Sequence, residues 1–363
     1  MTTPLDFSYE SRPARVVFRP GAAVSATPGE VARLGLHRVL VVCGSRGTEV
    51  ARAVADALGD SCAGLHAEAR MHVPVEVAER AVEVARTVGA DGCVAVGGGS
   101  AIGLGKAIAL RTGLPLIAVP STYSGSEMTP VWGLTENGVK RTGRDLVVQP
   151  RSVVYDPELT LALPVPLSVT SAVNALAHAV EALYAPDASP LVSLMAEEGV
   201  RAMAGALPLV AAAPGNPDAR GRALYAAWLC GTCLGATTMG LHHKLCHVLG
   251  GTFGLPHAET HTVVLPYALA YNASAAPEAI TALSRALGTE DVPRALRELA
   301  GNLGAPRTLA ELGLKEADLA VAAAQVAATA YPNPREVTAS GVLGLLTAAY
   351  EGWEPRSQVA WAE

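Results

Sequence analysis

Histidines are the residues of this chain best suited to proton transfer or metal binding, and five of the nine lie between residues 242 and 261. His243 and His247 are four residues apart, a spacing that places them on one face of a helix. His257 follows them across a glycine-rich connection. So many imidazoles in so short a stretch favour a functional site over separate structural histidines.

Asn174 and His178 form a second pair with the same spacing, in a helical stretch further upstream. Side chains that project from two such helices can converge on one point. Three roles suit a converging group of this kind, because it can bind a metal ion, transfer a proton or stabilise a developing oxyanion. The residues themselves leave the choice among these roles open.

A glycine-rich turn lies between an apolar run and a helical stretch in the first half of the chain. It consists of Gly97, Gly98, Gly99 and Ser100. Glycines let the backbone approach an anion closely, and a helix N-terminus offers unpaired N–H groups. The turn therefore predicts a site for the pyrophosphate of a dinucleotide. It matches neither the P-loop nor the GxGxxG pattern, and a turn needed only for packing is the alternative.

A second polar turn, residues 120–127 (PSTYSGSE), follows the next apolar run. Its hydroxyl groups can contact a cofactor, and they can also cap the next helix. From this turn we take Ser121, Thr122 and Ser126 as candidate cofactor contacts and Tyr123 as a candidate substrate contact.

The residues after Cys43 bear on the choice of cofactor. No Asp or Glu stands there to bind the 2′-hydroxyl of an adenosine ribose, and Ser45 and Arg46 occupy the place. Ser45 is a candidate cofactor contact, and the guanidinium of Arg46 can accept a 2′-phosphate. The sequence therefore admits both NADH and NADPH.

The elements that would position these residues change in character once along the chain. Up to about residue 160, short apolar runs alternate with helical stretches, which predicts a doubly wound α/β domain with a parallel sheet. The predicted strands are Arg15–Phe18, Val39–Cys43, Cys93–Val96 and Leu116–Val119, with helices over 48–58 and 75–88. We therefore expect a dinucleotide-binding domain over residues 1–160.

Residues 161–363 are predicted to form an all-helical catalytic domain. The predicted helices are 168–185, 189–212, 217–240, 258–274, 277–287, 292–303, 306–312, 315–329 and 336–350. Two domains that meet at a cleft are a usual setting for a cofactor and a substrate.

Composition excludes some classes of partner and indicates a compartment. The net charge of −6 on 363 residues offers no electrostatic grip on nucleic acid or on an anionic membrane. The first residues lack the pattern of a signal peptide, and six scattered cysteines are typical of reduced thiols in a cytoplasm. Cys230 and Cys233 form a CxxC that we interpret as structural, because no second pair completes a zinc site.

At this point the motifs resemble those of the iron-containing alcohol dehydrogenase superfamily, and the resemblance runs nearly from end to end. They are Gly97–Lys106, Ser121–Glu127, Asn174–Glu181 and His243–His257. The resemblance implies a dehydroquinate synthase-like fold with an N-terminal dinucleotide-binding domain and an all-helical C-terminal domain. It also implies a homodimer.

Two positions depart from the superfamily pattern. Gly103 replaces an aspartate of the glycine turn, and Asn174 replaces the one carboxylate metal ligand. His178, His243 and His257 match the three histidine ligands. A neutral amide is a poorer ligand than a carboxylate, so the exchange should weaken metal binding. A tolerated exchange in a working metal site is the alternative.

The same departures coincide with a narrower resemblance to the maleylacetate reductases, a branch in which the asparagine is characteristic. It is carried by Gly97–Arg111, Thr129–Asp145, Ser168–Ala185, Leu191–Ala202, Ala227–His261 and Asn333–Val337. This branch implies NAD(P)H-dependent reduction of the C=C bond of maleylacetate to 3-oxoadipate, in the degradation of aromatic compounds, without a metal. The substrate would be a small dicarboxylate keto acid.

Roles follow from this resemblance. The candidate catalytic residues are His243, His178, His257, His247 and Asn174, with His243 or His247 as proton donor to the substrate carbon. The candidate substrate contacts are Lys244, Tyr123 and His242, and Lys140 is a candidate cofactor contact. A metal-dependent alcohol or polyol dehydrogenase, or a biosynthetic reductase of another unsaturated keto acid, are the alternatives.

Overall fold

The computed structural model describes Phe7, Tyr9, Glu10 and residues 14–136 and 139–355, without the side chains of Val139 and Lys140. The chain folds into two compact units. The α/β unit contains residues 14–163 together with Pro214–Leu224. The helical unit contains Pro164–Ala213 and the described residues from Tyr225 onward, and Phe7, Tyr9 and Glu10 also belong to it. The sequence predicts a single boundary at residue 160. In the structure the later segment Pro214–Leu224 also belongs to the α/β unit.

The α/β unit is built on a six-stranded parallel sheet of order β1-β8-β5-β4-β2-β3. Its strands are β1 Arg15–Phe18, β2 Val39–Cys43, β3 Cys62–His66, β4 Gly92–Gly97, β5 Leu116–Pro120 and β8 Ser152–Tyr155. A separate antiparallel hairpin pairs β6 Val131–Glu136 with β7 Val139–Arg144. The helices are α1 Ala22–Ser25, α2 Thr27–Arg33, α3 Thr48–Leu58, α4 Val75–Thr87 and α5 Gly99–Thr112.

The central strands β2, β4 and β5 are buried along their whole length. Strands covered on both faces need continuous apolar runs, and the β-branched residues of these runs suit the pleated sheet. The predicted α/β class and its four strands are confirmed. β3 lies at an edge of the sheet and is only partly buried, so its short mixed sequence gives a weaker signal.

The helical unit consists of α6–α14, and its described residues include no strand. These helices are Val165–Ala182, Pro190–Ala212, Pro217–Ala236, Leu241–Phe253, His257–Asn272, Pro277–Leu287, Val292–Asn302, Leu319–Ala327 and Ala339–Glu351. α8 begins in the α/β unit and continues into this one. The predicted all-helical class is confirmed.

Two local predictions in this region are wrong. Residues 306–312 form turns and no helix, because Gly304 and Gly313 adopt left-handed backbone angles at both ends of a short segment. The glycine-rich connection is the last turn of α9, which continues to Phe253 before Gly254 ends it at φ 70°. Glycine costs about 1 kcal/mol inside a helix, and the buried Leu249 holds that turn in the core.

Arg220 is a fully buried cation in the segment that returns to the α/β unit. Its guanidinium donates to the carbonyl oxygens of Pro214 at 2.9 Å and Leu163 at 2.8 Å, and to the hydroxyl of Tyr123 at 3.3 Å. A buried charge is tolerated only when its donors are paired. These bonds therefore tie the returning segment to the end of the first stretch of the unit.

One feature of the chain bears on membranes. No single described helix is long and apolar enough to cross one. The pair formed by α8 and α9 satisfies the same limits of length and composition only together, across a bend of 95°.

Gly103 lies in the middle of α5 and faces Val73, whose own φ of 46° is unusual for a β-branched residue. A Cβ at position 103 would lie 2.7 Å from Val73 Cγ2, so Val73 would have to shift to admit the aspartate that the superfamily has there.

We expect Gly103→Ala to lower the free energy of unfolding by about 1–3 kcal/mol, because it overpacks a filled contact. Denaturant unfolding would measure the change, with Gly205→Ala as the control. Position 205 is also helical, and a Cβ there would have no atom within 4 Å, so alanine should stabilise by about 0.5–1 kcal/mol. The cost of Gly103→Ala should shrink in a Val73→Ala background, and an equal cost in both backgrounds would contradict this account.

Candidate active site

The predicted histidine group is assembled by three helices of the helical unit. α6 carries Asn174 and His178, α9 carries His243, and α10 begins at His257. α6 is buried on nearly every face from Ser168 to Ala182. Its polar side chains are therefore held in the protein interior, where position and protonation are fixed by their neighbours.

The imidazole rings lie in contact with one another. The rings of His178 and His243 stack with their centroids 5.2 Å apart. His261, one helical turn after His257, packs its ring 4.4 Å from that of His257 and 5.1 Å from that of His243. The rings of the two predicted pairs thus converge in the structure. His261 lies between His243 and His257 and contacts both rings.

Glu181 is the residue that orients His243, and it was not among the predicted site residues. Its Oε2 lies 2.6 Å from His243 Nδ1. The same carboxylate accepts backbone N–H groups of Gly240 at 3.1 Å and His242 at 2.8 Å, at the N-terminus of α9. A carboxylate on Nδ1 requires a proton there, which fixes the ring and turns Nε2 away from Glu181. The signal for it in the sequence was its place as the last residue of the motif Asn174–Glu181, three residues after His178.

Asn174, His178 and His243 each present a buried polar atom that has no hydrogen-bond partner. The atoms are Asn174 Oδ1, His178 Nδ1 and His243 Nε2. Buried polar atoms are paired in the great majority of cases, and exceptions often mark a site where another molecule binds. These atoms therefore define the part of the helical unit that is prepared to receive a polar ligand.

The same residues are a poor match for a first-row metal ion. Ligand atoms around such an ion must lie within about 4–5 Å of one another, given bonds of roughly 2.0–2.3 Å. Among the described residues, His242, Cys246 and His261 each offer a ligand atom, and these three atoms lie within 4.8 Å of one another. Asn174 brings a neutral amide where the superfamily has an anion, and this exchange weakens the match of Asn174, His178, His243 and His257 to a metal ion.

Burial affects the protonation of these imidazoles. The pKa of His178 is lowered well below its usual value, first by burial and then by His243 and His257 nearby. The pKa of His242 is lowered in the same way, by burial and by the neighbouring histidines. Both rings are accordingly held neutral, so positive charge at the site must come from another residue.

The remaining candidates of the helical unit lie around this group. His247 is exposed, and its ring centroid is 6.3 Å from that of His243. Lys244 is half-buried, with Nζ 6.0 Å from the centre of the Tyr331 ring. His242 is fully buried and its Nε2 lies 2.8 Å from His261 Nδ1. Their assigned roles stay predictions.

The glycine turn of the α/β unit joins β4 to α5 as predicted. Gly97 has a φ of 138°, which favours glycine, and a Cβ on Gly98 would lie 2.9 Å from Thr122 Cγ2. The two polar turns are therefore packed against each other at the carboxyl ends of β4 and β5. In parallel α/β sheets this edge is where ligands bind.

The other cofactor candidates differ in exposure. Gly99 and Ser45 are exposed, and the half-buried candidates are Ser100, Ser121 and Ser126. The side chain of Lys140 lies outside the described residues. Tyr123, the candidate substrate contact, is fully buried beside Arg220, so the structure gives its hydroxyl a place in the interior of the α/β unit.

Lys106 is a buried cation of α5 that was predicted only as a motif position. Its Nζ donates to the carbonyl oxygens of Ser126 at 2.6 Å, Thr129 at 2.8 Å and Val131 at 2.7 Å. Burial lowers its pKa to about 7, against the opposing effect of Glu127. The ammonium group thereby fastens the second polar turn to the helix that the glycine turn begins.

Family models match both parts of the chain. Residues 13–157 match the model described as iron-containing alcohol dehydrogenase. Residues 168–350 match the model of the C-terminal part of the Fe-containing alcohol dehydrogenase family.

Individual proteins match over nearly the whole length. The chain is 52% identical over 351 residues to a maleylacetate reductase of Pseudomonas knackmussii, covering 97% of this chain and 99% of that protein. A maleylacetate reductase of Sphingobium indicum is also 52% identical, with the same coverage. Among solved structures, maleylacetate reductase from Agrobacterium tumefaciens superposes with a TM-score of 0.93 at 50% identity, covering 96% of this chain and 99% of that one.

Proposed function

The chain belongs to the iron-containing alcohol dehydrogenase family, and on that premise we propose that it reduces the C=C bond of maleylacetate to give 3-oxoadipate, with NADH or NADPH as hydride donor. The observation that carries the proposal is the identity of about half of all residues, over nearly the whole chain, with maleylacetate reductases. The glycine turn with its neighbouring polar turn supports the nucleotide, and the buried imidazole group supports the keto acid.

The reaction joins a hydride and a proton to one double bond. Maleylacetate has its C=C bond conjugated with a ketone, and a reduced nicotinamide nucleotide held by the glycine turn and the second polar turn would supply a hydride to the carbon β to that ketone. The electron pair of the double bond moves onto the ketone oxygen as an enolate. Protonation of the α-carbon then restores the ketone and completes the product. The protein must therefore stabilise a developing negative charge on oxygen and supply one proton.

His243 is the residue best suited to stabilise the enolate. Glu181 binds its Nδ1 and leaves Nε2 without a protein partner. The buried carboxylate stabilises a positive charge on this ring, whose Nε2–H can then donate to the enolate oxygen. Asn174 assists because its neutral amide does not repel the dianionic substrate as a carboxylate would. His247 or His243 is the proposed proton donor to the α-carbon.

We further propose that this reaction needs no metal ion. A bound metal would polarise the ketone, the task that His243 performs in the proposed reaction. The neutral amide of Asn174, where the superfamily has a carboxylate ligand, supports this proposal. The protein is proposed to act as a homodimer, and the six free cysteines support its expected place in a reducing cytoplasm.

The proposed function predicts activity that resists chelation. Purified protein should oxidise NADH or NADPH when maleylacetate is added, and prior dialysis against a strong chelator should leave kcat unchanged. Loss of the reduced-nicotinamide absorbance measures the rate, with a primary alcohol and oxidised cofactor as the comparison substrate. Activity that appears only with alcohols, or that chelation abolishes and iron or zinc restores, would replace this proposal with a metal-dependent dehydrogenase.

A further inference from the structure

A second pair of imidazoles, His242 and His261, lies next to His243. The proposed reaction assigns no role to either of them. His242 Nε2 and His261 Nδ1 are 2.8 Å apart, a hydrogen-bond distance. Both side chains are fully buried. The thiol of Cys246 lies 3.8 Å from the same nitrogen of His242, so this side of the pair is enclosed by protein.

The outer nitrogens of the pair, His242 Nδ1 and His261 Nε2, are both buried without a hydrogen-bond partner. Within an imidazole ring the two nitrogens lie on either side of one carbon, so His261 Nε2 is directed away from His242. The ring that carries it packs against His257 and His243. An unpaired polar atom at 0% exposure requires a partner that the protein itself does not supply.

We propose that His261 is a further substrate-binding residue, whose Nε2–H donates a hydrogen bond to an anionic oxygen of the keto acid, and that His242 positions it by setting its tautomer. This inference rests on the proposed function, because it assumes that an anion binds beside His243. The ligand class is a small carboxylate or the enolate formed from it.

Counting protons limits the pair to two arrangements, and the anion selects one of them. Two neutral imidazoles carry one proton each, and one of these protons lies in the bond between His242 Nε2 and His261 Nδ1. When His242 donates that proton, His261 Nδ1 is the acceptor and His261 must carry its own proton on Nε2. An anion at Nε2 stabilises this arrangement over the reverse one. No proton is gained or lost, so the pair supplies a directed donor without a buried net charge.

Two amide replacements at position 261 separate the roles of the two nitrogens. The amide of glutamine reaches the place of Nε2, whereas that of asparagine reaches only the place of Nδ1. We expect His261→Asn to lower kcat/KM for maleylacetate by about 10- to 100-fold, the effect of one lost hydrogen bond to a charged group. His261→Gln should retain most of that activity.

Binding of NADH separates the proposed role from a merely structural one. If His261 only maintained the structure, its replacement would weaken NADH binding as well. Its dissociation constant, measured by nicotinamide fluorescence, should be the same in both variants and in the unmodified protein. The exposed His37, in the α/β unit, gives the control variant His37→Ala, for which all constants should stay unchanged. Equal activity of His261→Asn and the unmodified enzyme would overturn the proposal.

Nitrogen-15 NMR of histidine-labelled protein tests the tautomer directly, with 3-oxoadipate as the probe. The signal of His261, identified by its loss from the His261→Asn spectrum, should show a proton on Nε2 in the complex. In His242→Phe the same signal should report a mixture of tautomers. A proton on Nδ1 of His261 in the unmodified complex would overturn the assignment.

Two further outcomes distinguish the donor role of His261 from a metal site and from failure of the proposed reaction itself. One equivalent of zinc that survives chelation and is lost in Cys246→Ser would overturn the donor role, because both nitrogens would then be metal ligands. Failure of the unmodified protein to oxidise NADH with maleylacetate would contradict the proposed function. In contrast, an active enzyme indifferent to His261→Asn would contradict only the role of His261.

Discussion

Replacing His243 by alanine is expected to lower kcat for maleylacetate by about 10²- to 10³-fold, with little change in the KM for NADH. The imidazole is 7% exposed and presents an unpartnered Nε2, so its removal takes away the donor that stabilises the enolate. The nucleotide candidates lie in the α/β unit and keep their contacts. Steady-state kinetics with each substrate varied in turn measures both constants.

His247→Ala is the informative companion to this variant. If His247 is the proton donor, its loss should also lower kcat, and a solvent isotope effect on kcat should increase because proton transfer becomes slower. If His243 fills both roles, His247→Ala should behave as the unmodified enzyme does. Near-normal kcat in His243→Ala would exclude His243 from the chemistry and with it the proposed mechanism.

Changing Glu181 should produce the second large effect, through two variants with different consequences. Glu181→Ala removes the partner of His243 and the cap of α9 together. We expect it to lower the free energy of unfolding by about 3–5 kcal/mol, the usual cost of breaking a buried pair. Glu181→Gln keeps an acceptor oxygen for one of the two backbone N–H groups, which bind different oxygens of the carboxylate, and should retain part of that stability.

The glutamine variant should nevertheless lose about 10²-fold in kcat, because an uncharged amide no longer stabilises a positive imidazole. Thermal unfolding and steady-state kinetics on the same preparations separate the two effects. Normal kcat in a stable Glu181→Gln would show that Glu181 only caps the helix. Equal loss of stability in both variants would show that the charge is needed for folding itself.

The histidine group was predictable because helical spacing carries its own geometry. Residues four apart on one helix point the same way, so the pairs Asn174–His178 and His243–His247 each imply a face without any tertiary information. That the faces of α6 and α9 meet, with the His178 and His243 rings stacked, depends on the packing of helices far apart in sequence.

The partners of these residues were not predictable for the same reason. Glu181 acts on His243 from 62 positions away, and the bond between His242 and His261 joins two helices. Lys106 provides a further case, since its three carbonyl acceptors lie 20 to 25 positions further on. Side-chain types give no indication of such pairings until the elements are packed.

The fold was predictable where burial imposes a simple pattern. The apolar runs of β2, β4 and β5 alternate with helical stretches, and this pattern predicts buried parallel strands. The errors fall where local and tertiary preferences compete. Glycines at the end of α9 indicate a loop by propensity, yet the buried Leu249 and Leu245 hold the helix together.

The position of Arg220 in the chain has a consequence for biosynthesis. Leu163, whose carbonyl oxygen its guanidinium binds, precedes it by 57 residues. Two long helices of the other unit are translated in between. Because chains emerge from the ribosome N-terminus first, these two helices are synthesised before Arg220. The guanidinium therefore reaches the interior around Tyr123 only after both helices have been made. A nascent chain released before residue 220 would leave that interior unfinished, an easy target for proteases.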